Sequence, residues 1–143
     1  MEVNPKIYIA GWTGEVKYRK YIQEKYSKVL NVFDPMKEVE ANIVDDVVKK
    51  ATEKYVFSKE DITKIVEGDK AAILSCDILT AFVNKITVGT MMEIIFAFDN
   101  KIPVYLIDPS LQFRRDIWVN YHSTMIFDTI DDCYGYIKDR HVR

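Results

Sequence analysis

The chain has 143 residues, of which 48% are hydrophobic and 29% charged, with 5 Gly and 4 Pro. That composition excludes disorder, collagen-like repeats and linker-rich architecture, and the length suits a single domain spanning residues 1–143. Twenty Lys and Arg stand against 22 Asp and Glu, a formal charge of −2, so there is no electrostatic footprint for nucleic acid. Two cysteines, Cys76 and Cys133, are too few for a disulfide framework or a self-contained zinc site. No second His or Cys stands at ligand spacing, so neither a metal nor a cofactor is expected. No uncharged apolar run approaches the roughly 18 residues of a membrane span. Residues 1–6 lack the apolar stretch of a secretory leader, so a cytoplasmic setting without a membrane partner is expected.

Lys6-Ile7-Tyr8-Ile9-Ala10-Gly11 is a short apolar run ending in glycine, which predicts a buried strand leading into a tight turn. Over 14–28 the period changes. Val16, Tyr21, Ile22, Tyr26 and Val29 recur at helical offsets between Lys and Glu, the pattern of an amphipathic helix. Val29-Leu30-Asn31-Val32-Phe33 reads as a second strand, closed by Asp34-Pro35. Residues 39–67 are charged and helix-prone, and read as two helices broken near 52–58. Ser58 with Asp61 three residues on resembles a helix N-cap, and Gly68 suits the C′ position. Ala71-Ala72-Ile73-Leu74-Ser75 reads as a third strand, followed by a loop over 76–87. A helix over 88–98, a strand over 102–107, a strand at Met125-Ile126-Phe127 and a helix over 130–138 complete the order.

Strands alternating with helices predict an α/β fold. The expected form is a flavodoxin-like, doubly wound, five-stranded parallel sheet with helices on both faces. Ligands of such sheets bind outside the carboxyl ends of the strands, near the switch point in strand order. That directs attention to residues 11–14, 34–35, 75–89 and 108 onward.

Three pieces in those neighbourhoods carry chemistry. From Met91 to Phe98 only Glu93 is charged, so a lone carboxylate sits on a helix apolar nearly all round. Thr90 and Glu93 share a face of its first turn, and Gly89 admits a ligand close to the backbone. Asp61 lies near a helix start, where dipole complementarity alone can explain it, and Asp69 reads as a turn residue before a strand. Trp12 follows the strand-ending Gly11 and can stack on a base or cover the core, while Tyr8 is core by pattern alone. His122 and the Arg114-Arg115 pair read as structural or solvated. The helix over 88–98 has more apolar surface than one sheet face covers, so a homodimer or larger assembly is expected.

In this order the pieces Ile7-Tyr8-Ile9-Ala10-Gly11-Trp12, Asp61 to Asp69, and Gly89 to Glu93 followed by Ile102-Pro103-Val104 resemble the nucleoside 2-deoxyribosyltransferase family and its nucleotide N-glycosidase relatives. The resemblance spans about residues 6–108. It implies that Glu93 is the nucleophile at C1′ of the sugar. It further implies that Asp61 protonates the departing base or orients the sugar, and that Tyr8 holds the Glu93 carboxylate by a phenolic hydrogen bond. Gly11, Trp12, Thr13, Thr87, Gly89 and Thr90 would line the substrate site. The implied partners are a small nucleoside or nucleotide and a free acceptor base. Many transferases of the family carry Asp where Thr87 stands, and relatives acting on monophosphates place a small hydroxyl residue there. Arg19 lies within the first helix, where a phosphate role is not expected. Deoxyribosyl transfer is the favoured expectation. Hydrolysis of nucleoside 5′-monophosphates, or nucleotide binding without catalysis, are the alternatives.

Overall fold

The computed structural model describes residues 4–11, 16–36 and 57–141. Among them the order is β1 (Lys6–Gly11), α1 (Val16–Tyr26), β2 (Asn31–Phe33), α2 (Lys59–Leu74) and β3 (Ile78–Phe82). Then come α3 (Val88–Asp99), β4 (Val104–Ile107), α4 (Ile117–Tyr121), β5 (Met125–Phe127) and α5 (Ile130–His141). The five strands form one parallel sheet in the order β2-β1-β3-β4-β5, so the flavodoxin-like expectation holds.

Alternation along β1 divides the core. Ile7 and Ile9 point to one face and pack with Tyr18 and Ile22 of α1 and Tyr134 and Ile137 of α5. Tyr8 and Ala10 point to the other, with Ile73 of α2, Ile94 and Ala97 of α3 and Val119 of α4. β1, β3 and β4 are buried on both faces, which is why they read as continuous apolar runs.

The third strand is not where the sequence pattern put it. Residues 71–74 are the last turn of α2, and the strand is Ile78–Phe82, inside the segment expected to be loop. A short apolar run does not by itself separate buried strand from helix. Here only Ile73 of α2 is buried, whereas Ile78 to Ala81 are buried without a break. Gly68 is therefore a mid-helix residue and no C′ stop. The helix ends at Ser75, whose N–H donates to the Ala71 and Ala72 carbonyls. Its start agrees with expectation, since Ser58 Oγ accepts from the Asp61 N–H at 3.1 Å. The break expected near 52–58 falls mostly outside the described residues.

The buried face of α1 also differs from the apolar pattern. Val16 and Tyr21 are exposed, while Tyr18, Arg19, Ile22 and Tyr26 are buried. An arginine enters the core because its charge is matched there. One terminal nitrogen of Arg19, Nη1, lies 2.6 Å from Asp34 Oδ1 and also donates to the Ile9 carbonyl. The other, Nη2, donates to the Gly11 carbonyl at 2.8 Å. Next to it, the Tyr18 hydroxyl donates to the Ala10 carbonyl at 2.9 Å. Burial pushes the Tyr18 phenol well above its ordinary range, so it stays a donor. The second strand is shorter than expected because residues 27–30 form a turn. The short helix α4 carries no sequence periodicity of useful length and was not expected.

Removing one member of a buried ion pair strands the other in a low-dielectric site. Asp34→Ala is expected to lower the unfolding free energy by about 3–5 kcal/mol. The double change Arg19→Met with Asp34→Leu should recover much of that loss. Urea denaturation of the three proteins checks this, and a loss below about 1 kcal/mol for Asp34→Ala would contradict it.

Candidate active site

The switch in strand order lies between β1 and β3. A cavity of about 720 Å³ opens there. Gly11 from the end of β1 and Pro35 beyond β2 line one side. Thr87, Gly89, Thr90 and Glu93 line it from the start of α3, and Ile65, Asp69 and Ile73 from α2. This is the location that the doubly wound topology requires of a ligand site.

Glu93 lies in the second turn of α3. Its carboxylate has lost part of its hydration on an otherwise apolar helix, and a phenol replaces some of it. The Tyr8 hydroxyl donates to Glu93 Oε2 at 2.5 Å. The contact follows from the fold. Tyr8 is fully buried in the middle of β1, on the sheet face that α3 covers. Only a long side chain with a polar tip can be core at its ring and reach the helix at its hydroxyl. Tyr8 is thus a core residue by its ring and a partner of Glu93 by its hydroxyl.

Two further carboxylates line the cavity, Asp69 from α2 and Asp99 at the end of α3. Asp61 is not among the lining residues. It sits in the first turn of α2, where its N–H is taken by the Ser58 cap. Eight residues of helix separate Asp61 from Asp69, about 12 Å along the axis. Asp69 looked like a turn residue only because the strand was placed too early. With α2 continuous to Leu74, Ile65, Asp69 and Ile73 stand four apart on one face, and all three line the cavity. That spacing was the available signal.

The remaining expected residues fall into two groups. Thr87 is the N-cap of α3: its Oγ1 accepts from the Thr90 N–H at 3.3 Å and pairs with Thr90 Oγ1 at 3.0 Å. A Cβ added at Gly89 would meet nothing within 4 Å, so the main chain there faces open space. Gly11 has φ +150°, and a Cβ there would stand 3.3 Å from the Tyr18 ring, so this position requires glycine. Trp12 and Thr13 lie outside the described residues.

Several lining residues were not foreseen. Arg19 lines the cavity, though its guanidinium is engaged by Asp34. Lys70 lies with its ammonium 5.6 Å from the centroid of the Phe96 ring, and both line the same space with Asp99. Among the described residues no group of three or more His, Cys, Asp or Glu is placed to hold a metal ion. Among them, too, no helix is long and apolar enough to cross a membrane. His122 is buried away from the cavity, with Nδ1 2.8 Å from the Trp118 carbonyl. Arg114 is ion-paired with Asp128.

No family model and no curated protein matches the chain. Solved structures do. A conserved protein from Enterococcus faecalis superposes with a TM-score of 0.69 at 19% identity, covering 96% of this chain and 99% of that one. A 2-deoxyribosyltransferase from Bacillus psychrosaccharolyticus gives 0.64 at 21% identity, over 89% and 88% of the two chains. A CMP N-glycosidase from Clostridium botulinum gives 0.54 at 18% identity, over 94% and 97%. The chain therefore has the fold of a 2-deoxyribosyltransferase and of a nucleotide N-glycosidase.

Proposed function

We propose that this chain cleaves or exchanges the N-glycosidic bond of a 2′-deoxynucleoside, with Glu93 as the nucleophile. One observation carries the proposal. The Glu93 carboxylate, held by the Tyr8 phenol, faces a cavity that Asp69 also lines. The fold shared with a deoxyribosyltransferase and an N-glycosidase supports it.

The steps balance with these residues alone. A Glu93 oxygen attacks C1′, and the C1′–N bond breaks with its electron pair going to the base. The acid that protonates the leaving base is Asp69, in place of Asp61, because Asp69 lines the cavity with Glu93 and Asp61 does not. The sugar is then an ester of Glu93. A second base, or water, attacks C1′ from the vacated side as the C1′–O bond to Glu93 breaks and its electron pair returns to the carboxylate, and Asp69 takes the proton from the attacking group. Tyr8 keeps one carboxylate oxygen fixed so that the other is presented to the sugar.

The cavity's charges favour an uncharged nucleoside over its 5′-monophosphate. Arg19 is neutralised by Asp34, and Thr87 spends its hydroxyl on the helix cap. Among the described lining residues that leaves Lys70 against Asp69, Glu93 and Asp99.

Deoxynucleosides and their 5′-monophosphates, incubated with and without acceptor base, test this by chromatography of the released base. Exchange that requires acceptor marks a transferase; release without acceptor marks a hydrolase. Glu93→Ala and Asp69→Asn are expected to keep the fold and lose activity, Glu93→Ala by roughly 10³-fold or more. Activity of Glu93→Ala equal to wild type across the panel would end the proposal. Asp61→Asn should stay within about threefold of wild type, whereas a larger loss would return the acid role to Asp61.

We also propose that the chain works as a dimer or larger homo-oligomer. Val88 and Met92 on α3 are 82% and 61% exposed, and Ile62 and Val66 of α2 add apolar surface nearby. Light scattering at tens of micromolar should give a multiple of the chain mass. A monomer at that concentration would refute this.

A further inference from the structure

We propose that Phe33 is a positioning residue that fixes the Tyr8 phenol against Glu93, with Lys6 bracing it from the other end. The inference rests on the proposed role of Glu93 and concerns what holds its hydrogen-bond donor still.

The arrangement begins with strand register. Tyr8 of β1 and Phe33 of β2 are Cα partners in a parallel pair. Partnered side chains of neighbouring strands point to the same face, so the two rings are forced side by side. Their centroids are 6.0 Å apart and their planes 21° apart. Lys6, two residues before Tyr8, shares that face. Its ammonium lies 5.2 Å from the Phe33 centroid and donates to Ser75 Oγ at 3.0 Å. Phe33 is thus held between a cation anchored to the end of α2 and the Tyr8 ring.

A phenol directs its hydroxyl only as well as its ring is held. Tyr8 has two side-chain torsions, and a rotation of the ring about either one moves the hydroxyl relative to Glu93. Ile94 and Ala97 of α3 belong to the core cluster around Tyr8, and Phe33 packs against that cluster from the β2 side. β2 is the edge strand there, so Phe33 is the aromatic side chain that closes this flank of the Tyr8 ring among the described residues. Loss of the ring leaves Tyr8 free to tilt away. Packing distant from the reacting atoms then acts on the chemical step through orientation.

A double-mutant cycle separates positioning from mere stability. Phe33→Leu is expected to lower kcat about tenfold on the deoxynucleoside that wild type turns over fastest, with KM within about twofold. Phe33→Tyr, which keeps the ring, should stay near wild type. In a Tyr8→Phe background the hydroxyl is already absent, so Phe33→Leu should change kcat by less than about twofold. An equal loss in both backgrounds would show that Phe33 acts only on the fold and would overturn the proposal. A second readout does not need turnover. The ¹³Cζ resonance of Tyr8, assigned by its loss in Tyr8→Phe, should move in both Glu93→Gln and Phe33→Leu. If wild type proves inactive, the glycosidic reaction falls while this resonance still decides the positioning role. A Tyr8 resonance unchanged in Phe33→Leu would refute it.

Discussion

A buried guanidinium organises the ligand edge of the sheet. Arg19 binds Asp34 and the carbonyls of Ile9 and Gly11. Tyr18, its neighbour in sequence, takes the carbonyl of Ala10 between them. Three successive carbonyls at the exit of β1 are thereby bound by two consecutive residues of α1. Desolvating a guanidinium and a carboxylate is costly, and the forked hydrogen bonds offset that cost only while the geometry is kept. The pair therefore adds less to net stability than to uniqueness of shape. Arg19 and Gly11 both line the cavity, so its floor is set by the same contacts.

The walls are built differently. α2 and α3 present Ile65, Ile73, Ile95 and Phe96 to the cavity, with Asp69 and Glu93 among them. Apolar side chains beside these carboxylates lower the local dielectric and strengthen the electrostatic contacts there. The floor is held by directional bonds and the walls by packing, so floor and walls fail in different ways when altered.

The sheet was legible in the sequence where strands are buried on both faces and end in punctuation. β1 stops at Gly11, and β4 stops at Asp108-Pro109. β3 was missed because the four apolar residues 71–74 just before it have the same length and look as a strand, and periodicity has no power over so short a run. The same error hid Asp69, whose place on the cavity face is visible only once α2 is continuous. Glu93 stood out because one charge in an apolar helix is conspicuous. Tyr8 is core by pattern alone, and only the family resemblance pointed its hydroxyl at Glu93, since its side of the sheet depends on strand neighbours far away in sequence. Arg19 is invisible in the sequence as a core residue for a related reason: its partner Asp34 is 15 residues on, across a strand, and has the pattern of a turn signal.

The strand lengths have one more consequence. β1 and β3, in the middle of the sheet, span six and five residues, while the edge strands β2 and β5 have three each. An edge strand is a row of unpaired amides and carbonyls that another chain can extend into a fibre, and brevity is a natural defence. Here the longer apolar strands lie inside the sheet, and each edge strand offers only three residues to a would-be neighbour. A small, aromatic-rich domain can then keep greasy strands at its centre without templating its own precipitation.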